Sequence, residues 1–110
     1  MSASADVLKG TLDLLVLKSL SLTPLHGWGI SRRIQQLSRD AFQIGQGSLY
    51  PALYRLESKG LIRGDWNTTE NNRDAKYYRL TAAGARMLTT EAKDWRRFAE
   101  AMDRVLLAEG

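Results

Sequence analysis

The sequence lacks cysteine altogether, and it holds one histidine and two prolines among its 110 residues. The absence of cysteine excludes disulfide bonds and thiolate metal sites, and it is compatible with a reducing cytosol. No apolar run approaches the roughly 20 residues that a membrane-spanning helix needs, and residues 1–9 lack the pattern of a signal peptide. These absences predict a cytoplasmic protein without a membrane partner.

Residues suited to catalysis are also scarce. His26, the one histidine, lies beside Gly27 in a connecting segment, where a structural or solvated role is more common than that of a catalytic base. No cluster of His, Asp and Glu has metal-ligand spacing, and Gly45 and Gly47 lack the lysine and Ser/Thr of a phosphate-binding loop. The acidic residues are scattered, so no carboxylate pair lies in apolar surroundings. The sequence therefore predicts no enzyme, no metal and no cofactor.

The net charge is +4, and all of the excess positive charge lies in the middle of the chain. Between His26 and Arg79, nine lysines and arginines stand against five acidic residues, whereas the remaining residues hold seven of each. A basic segment framed by neutral ones is typical of a polyanion-binding element, although +4 is also common in soluble proteins. By length the chain is one domain, and its hydrophobic content of 44% is that of a globular protein.

Residues 8–22 predict a first helix that is apolar around most of its circumference. A surface helix needs a single apolar stripe. We therefore expect this helix to contact its own domain on one side and a second copy of the chain on the other. Leu12 and Leu15 are the predicted interface residues of this helix.

A second helix is predicted over residues 27–38, because Ile30, Ile34 and Leu37 recur at the spacing of one helix face. The segment that follows is less regular. It predicts a very short strand over residues 42–44 and then a glycine-rich turn.

Residues 45–60 (GQGSLYPALYRLESKG) predict a short amphipathic third helix. Its 100° spacing predicts a buried stripe of three leucines: Leu49, Leu53 and Leu56. Ser48 is the predicted N-cap, Pro51 falls in the expected first turn, and Gly60 suits a left-handed C-terminal cap. The outward side and its flanks are predicted to carry the following residues: Ser48, Tyr50, Pro51, Tyr54, Arg55, Ser58 and Lys59.

A β-hairpin is predicted next. Residues 61–66 and 75–81 are rich in aliphatic and aromatic side chains, and the turn-forming residues 67–74 join them. We expect Asn71, Asn72, Arg73 and Lys76 to lie at the tip of this hairpin.

Thr81 is the predicted cap of a final helix over residues 82–107. Apolar residues recur along it at spacings of 4, 3, 4, 3 and 4, which is a heptad pattern. The rest of the chain is too short to supply a facing helix, so the pattern favours self-association over packing within one chain. The predicted seam consists of Leu88, Ala92, Trp95, Ala99, Met102 and Leu106.

Helix, helix, turn, helix and hairpin is the element order of a winged helix-turn-helix, an α+β fold that is here mostly α. We expect a DNA-binding domain over residues 1–81 and a long C-terminal dimerisation helix over residues 82–110. In this architecture the third helix lies in the major groove, and the hairpin reaches the DNA backbone or the minor groove. The predicted DNA contacts are Ser48, Tyr50, Pro51, Tyr54, Arg55, Ser58, Lys59, Asn71, Asn72, Arg73 and Lys76. Tyr50 and Tyr54 have the alternative of packing on neighbouring helices.

Four segments (LKGTLDLLVLKSLS, HGWGISRRIQ, GQGSLYPALYRLESKGLI and NNRDAKYYRLTAAG) resemble the PadR family of bacterial transcriptional regulators. The resemblance implies a homodimeric DNA-binding protein, usually a repressor, whose last helix dimerises with help from the first. Some family members bind flat aromatic compounds at the dimer interface through tryptophan. A planar aromatic effector is therefore expected near Trp95, which has the alternative of being a large interface core residue.

Two positions depart from the family pattern. Asp74 stands where a further basic residue is frequent, which predicts a weaker hairpin contact. Trp28 replaces a common tyrosine and so lacks its phosphate-binding hydroxyl. Two other functions stay open at this point: a winged-helix module that binds protein, and a small-molecule-binding dimer without operator recognition.

Overall fold

The computed structural model describes the backbone of residues 3–110 and the side chains from residue 10 onward. The chain is mostly helical, with one small antiparallel sheet, and it is elongated at 61 × 28 × 25 Å because the last helix is long. The α+β architecture expected from the sequence is confirmed. The elements are α1 (Ala3–Leu22), β1 (Leu25–His26), α2 (Gly27–Leu37), α3 (Gln46–Ser58), β2 (Ile62–Thr68), β3 (Asp74–Leu80) and α4 (Ala82–Leu106).

The three strands lie in the order β1-β3-β2, and both pairings are antiparallel. The predicted hairpin is confirmed as β2 and β3, whose register runs from Ile62 opposite Leu80 to Thr68 opposite Asp74. The strand predicted over 42–44 is wrong, since those residues form irregular backbone. The short strand is Leu25–His26, which pairs with the free edge of β3. That edge comes from a distant part of the sequence, so no local pattern indicated it.

Leucine and isoleucine side chains from the first three helices and the hairpin form one core. Leu12 is among them and is only 8% exposed, so the core of its own chain already covers most of this predicted interface side chain. Leu12 lies one turn before Val16 on the same helix face, and both side chains pack inward. Leu15 and Leu88 are half-buried and pack against the same core. The buried members are Leu12, Val16, Leu17, Leu20, Ile30, Ile34, Leu49, Ala52, Leu53, Leu56, Leu61, Ile62 and Tyr78.

The ends of α3 differ in part from expectation. The helix begins at Gln46, and Gly45 occupies its N-cap without a side-chain hydrogen bond, so the predicted Ser48 cap is wrong. Because the helix starts early, Pro51 lies in the second turn rather than the first. At the other end the prediction for Gly60 is confirmed, since its φ of +74° is in the left-handed region.

Two other caps come from side chains. The backbone N–H of Gly29 donates to Nδ1 of His26 at 2.9 Å, so the single histidine caps α2. Thr81 caps α4 as predicted, because its Oγ1 accepts the N–H of Gly84 at 3.0 Å. The same hydroxyl donates to the carbonyl of Gly60 at 2.7 Å, which ties the start of α4 to the end of α3.

The turn between α2 and α3 uses two consecutive non-glycine residues in the left-handed region. Arg39 has φ +52° and Asp40 has φ +66°. The N–H of Asp40 donates to the carbonyl of Gln35 at 2.9 Å, and Nε2 of Gln35 donates back to Oδ1 of Asp40 at 3.0 Å. This reciprocal pair holds the turn that follows α2.

Candidate nucleic-acid interface

The outward side of α3 is open to solvent along its length. The buried leucine stripe predicted from the sequence is confirmed, and it holds the opposite side of the helix against the core. Tyr54 is 76% exposed, and no other aromatic side chain of the described residues is more open. Around it lie four more exposed residues that the sequence selected: Ser48, Pro51, Ser58 and Lys59.

Arg55 does not share that outward side, so the sequence prediction of its orientation is wrong. Its Nη2 donates to Oδ1 of Asp13 on α1 at 2.8 Å, and the two side chains are 26% and 21% exposed. Nε of Arg55 is buried and has no acceptor among the described residues. The guanidinium is therefore largely committed to a contact inside the protein. Helical spacing alone did not reveal this, because Asp13 lies 42 residues earlier in the chain.

The hairpin tip is shorter than predicted and spans residues 69–73. Asn71, Asn72 and Arg73 are exposed there, as expected. Asn72 adopts φ +57°, and the N–H of Thr69 donates to the carbonyl of Arg73 at 2.7 Å to close the tip. This closure presents the side chain of Arg73 at the far end of the hairpin.

Lys76 is not at the tip, which corrects the sequence prediction. It lies within β3 opposite Trp66, and its Nζ is 2.9 Å from Oε1 of Glu57 on α3. Oε2 of the same carboxylate accepts the N–H of Gly64 at 3.1 Å. The hydrogen bond from Lys76 lowers the pKa of Glu57, and the same bond raises the pKa of Lys76. Glu57 thus connects α3 to both strands of the hairpin.

A cleft of about 840 Å³ lies between the start of α2, Tyr50 on α3 and the hairpin. Trp28 and Trp66 are 60% and 72% exposed at its sides. The guanidinium carbon of Arg32 lies 5.0 Å from the ring centroid of Trp28. The rings that line the cleft are those of His26, Trp28, Tyr50, Trp66, Tyr77 and Tyr78.

Tyr50 has a packing role beside its exposed position. A Cβ on Gly27 would lie 2.7 Å from Oη of Tyr50, so the phenol end rests directly on the glycine backbone. The sequence interpretation did not select Trp66 or Tyr77. An exposed tryptophan in a hairpin strand is a signal that would have pointed to Trp66, but its cleft neighbours come from other elements.

The last helix carries an exposed apolar stripe, defined by Trp95, Phe98, Met102, Val105 and Leu106. Their exposed fractions lie between 43% for Met102 and 75% for Val105. Ala92 and Ala99 of the predicted seam are half-buried. The sequence prediction missed Phe98 and Val105, because the last helix fits two heptad registers. The predicted register includes Ala99, whereas the alternative register includes Phe98 and Val105 in addition to Trp95 and Met102.

A second, smaller groove of about 280 Å³ lies where α1 passes α4. Trp95 and Phe98 line it, with ring centroids 5.8 Å apart and planes inclined by 35°. Glu91 and Asp94 lie at the same groove, so its rim is acidic.

The family model of the "Transcriptional regulator PadR-like family" matches residues 16–90, which include α2, α3 and the whole hairpin. The chain belongs to the PadR-like family. A PadR-like regulator from Eggerthella lenta has a similar structure, with a TM-score of 0.79 and 30% identity over 98% of this chain and 92% of that one. A transcriptional regulator from Clostridium thermocellum has a TM-score of 0.81 and 26% identity over 90% and 96% of the two chains.

Sequence comparison also finds a relative over nearly the whole chain. Protein X of Lysinibacillus sphaericus, an uncharacterised protein, is 31% identical over 106 residues, which are 96% of this chain and 95% of that protein. PadR-like proteins are transcriptional regulators, so this chain is a DNA-binding regulator and not an enzyme. Among the described residues, no helix combines the length and the apolar character that crossing a bilayer requires.

Proposed function

We propose that the protein is a homodimeric repressor that binds a roughly palindromic operator through α3 and the hairpin. The observation that carries the proposal is the open outward side of α3, with Tyr54 76% exposed beside the projecting hairpin. The major groove of DNA is about 12 Å wide and accepts one helix. The hairpin tip then reaches the backbone or the adjacent minor groove, and residues 1–81 act as the DNA-binding domain.

The proposed contacts divide by chemistry. Hydroxyls donate to phosphate oxygens, Lys59 and Arg73 neutralise phosphates, and the asparagines of the tip bind the backbone or the minor groove. Arg55 and Lys76 act instead as braces of α3, because each is paired with a carboxylate. The proposed contact residues are Ser48, Tyr50, Pro51, Tyr54, Ser58, Lys59, Asn71, Asn72 and Arg73.

The dimer is supported by the apolar stripe of α4. Side chains such as Phe98 and Val105 are 52% and 75% exposed in one chain, and contact with a second copy would remove them from water. Residues 82–110 are thus the proposed dimerisation helix, with Leu15 and Leu88 at its edge. Two copies of α3 would address half-sites about one helical turn apart. The dimer charge is twice +4, or +8, so binding is expected to weaken steeply with salt.

A gel-shift titration tests this proposal. The probes are overlapping duplexes from the region upstream of its own gene and a scrambled duplex of equal composition, each at several salt concentrations. We expect one upstream duplex to bind at least about tenfold more tightly than the scrambled one. Tyr54→Ala should weaken that binding, whereas Thr90→Ala, an exposed change on α4, should not. Equal binding of all duplexes, or binding insensitive to salt, would contradict operator recognition and favour a protein-interaction module.

A small planar aromatic effector is a second proposal, supported by the groove at Trp95 and Phe98. Aromatic faces favour flat ligands, and the acidic rim favours a cationic one. A protein with Trp28→Phe and Trp66→Phe reports the fluorescence of Trp95 alone. Quenching by a cationic planar compound, with release of the operator, is the expected result; unchanged fluorescence across anionic, neutral and cationic planar compounds would refute it.

A further inference from the structure

The large aromatic cleft is built by the hairpin and the start of α2, and Tyr50 is the one residue of α3 that lines it. Its volume of about 840 Å³ is that of a small-molecule site, since such sites measure about 300–1,000 Å³. Trp28 and Trp66 stand at its sides and are 60% and 72% exposed. Large rings left in water around a concave space indicate a ligand that covers them.

The faces of aromatic rings attract cations, and two rings of the cleft already hold cations of the chain. The guanidinium carbon of Arg32 lies 5.0 Å from the ring centroid of Trp28, and Nζ of Lys76 lies 5.4 Å from that of Tyr78. Trp66 is the more exposed indole, and no cation of the described residues lies over it. Tryptophan binds cations better than the other aromatic side chains do. The ring of Trp66 therefore has a free face for a cation from outside the chain.

Two carboxylates lie near this free ring. Trp66 is directly opposite Lys76 in the hairpin, and Asp74 lies two residues before Lys76 on the same strand. Because side chains alternate along a strand, these three residues share one face, and Asp74 is the diagonal neighbour of the indole. Glu70 lines the same cleft from the hairpin tip. Neither carboxylate belongs to an ion pair of the described residues, so both are free to attract a cation.

The charges of the cleft set the charge of its ligand. Four charged side chains line it: Glu70, Arg73, Asp74 and Lys76. Lys76 is paired at 2.9 Å with Glu57, which does not line the cleft. Two negative charges and one positive charge remain, so one positive charge on the ligand balances the site. Among the described residues no group of three His, Asp or Glu side chains could hold a metal ion, which leaves an organic cation as the fitting ligand.

We propose that the cleft binds an organic cation with a single positive charge. The charge lies over Trp66 and is balanced by Glu70 and Asp74, and the apolar body of the ligand covers Trp28. Asp74 and Trp28 are also the two positions that depart from the family pattern. A lost basic residue and a lost hydroxyl disfavour an anion here, whereas the carboxylate and the indole that replace them favour a cation.

Binding of the cation is expected to release DNA. Tyr50, Asn71 and Arg73 are proposed DNA contacts, and all three line the cleft, so an occupied cleft withholds them from the operator. This consequence rests on the proposed function, but the binding itself does not. The site is separate from the groove at Trp95, which is lined by residues of α1 and α4.

The first test measures binding without DNA. The probe is benzyltrimethylammonium, and phenylmethanesulfonate is an anion of similar size. Trp95→Phe in the full chain leaves Trp28 and Trp66 as the only tryptophans. The cation should change their fluorescence with half-saturation at or below about 1 mM, and the anion should not. Fluorescence that neither compound changes, or that both change equally, would overturn the inference.

Variants in this Trp95→Phe protein locate the site. Glu70→Gln, Asp74→Asn and Trp66→Leu should each weaken binding of the cation about two- to fivefold. Asp65→Asn is the control, because Asp65 is an exposed hairpin carboxylate that does not line the cleft. Circular dichroism verifies that each variant is folded. Equal affinity in all four variants would contradict a site in this cleft.

A gel shift with the upstream duplex tests release. The cation should displace the Trp95→Phe protein, and phenylmethanesulfonate at equal ionic strength should not. Asp74→Asn should raise the half-releasing concentration of cation about two- to fivefold. A duplex that stays bound while the fluorescence shows a saturated cleft would refute the release. If the wild-type protein binds the cation but no duplex, the proposed function fails and the cation site stands.

Discussion

Arg55 on α3 donates a hydrogen bond to Asp13 on α1 at 2.8 Å, although 42 residues separate them in the chain. The same α1 passes α4 at the groove that holds Trp95. The proposed recognition helix is therefore tied to the helix that borders the proposed dimerisation surface. A change in how α1 packs on α4 is expected to reach α3 through this ion pair.

The pair predicts a measurable coupling energy. Arg55→Ala should lower the free energy of unfolding by about 1–2 kcal/mol, because it leaves the half-buried carboxylate of Asp13 without its partner. A double-mutant cycle with Asp13→Ala, followed by urea denaturation, should give a coupling of at least about 0.5 kcal/mol.

The matched control is the exposed pair of Arg104 and Glu100 on α4, whose side chains are 76% and 69% exposed. Its cycle should give less than about 0.5 kcal/mol. Equal coupling in the two cycles would contradict the bracing role of Arg55. Arg55→Ala should also leave the salt slope of operator binding unchanged, whereas loss of a phosphate contact would lower it.

Glu57 and Lys76 predict a pH dependence of hairpin stability. The pKa of Glu57 is lowered from its ordinary 4.5. Its ionised form therefore adds to the free energy of unfolding above pH 4.5, and this stabilisation is lost as the pH falls through the folded-state pKa. The pKa of Lys76 is raised from 10.5, so its contribution is present below pH 10.5 and is lost as the pH rises further. Because both side chains are about one-third exposed, solvent screening keeps the effect below about 1 kcal/mol.

Glu57→Gln tests this pair by removing the charge while keeping an acceptor for Gly64. At neutral pH the free energy of unfolding, measured by urea denaturation, should be lower for the variant than for the wild type. This difference should shrink below about pH 4. A difference that stays constant down to pH 2.5 would show that the ion pair does not stabilise the hairpin.

Gly84 predicts a large stability effect at a position that looks permissive in the sequence. A Cβ there would overlap the carbonyl oxygen of Leu61, which the N–H of Thr81 also binds at 3.1 Å. Gly84→Ala should therefore lower the free energy of unfolding by about 1–3 kcal/mol, despite the higher helix propensity of alanine.

Gly47→Ala is the control for that change, because a Cβ at this helical position meets nothing within 4 Å. It should be neutral or stabilising by up to about 1 kcal/mol in thermal denaturation. If both alanine variants were equally stable, the close approach of Gly84 to Leu61 would carry no cost.

Met102 lies in the apolar stripe of α4 and is 43% exposed. Met102→Asp should convert the proposed dimer to a monomer of 12.4 kDa in sedimentation equilibrium, because it places a charge in the proposed apolar contact. Lys93→Asp is the control, since nine residues at 100° per residue place it on the opposite side of the helix. A dimer that persists in Met102→Asp would refute the proposed interface.

The sequence by itself determined the elements that depend on near neighbours. Periodicity located the buried stripe of α3, the hairpin and the long last helix, because these patterns repeat within one or two turns or along one strand. The caps at Thr81 and Gly60 followed from single residues at element ends. The family also followed from local segments, and residues 16–90 match its model.

The tertiary structure decided which side chains remain free to contact DNA or a second copy of the chain. In the sequence, Arg55 and Lys76 cannot be told apart from basic residues such as Lys59. In the structure, Arg55 pairs with a carboxylate 42 residues away and Lys76 with one 19 residues away. Strand β1 exists only because β3 offers it an edge. Leu12 packs inward, and the aromatic cleft brings together rings from α2, α3 and the hairpin. Ion pairs and clefts join residues that are distant in the chain, and local periodicity contains no information about those distances.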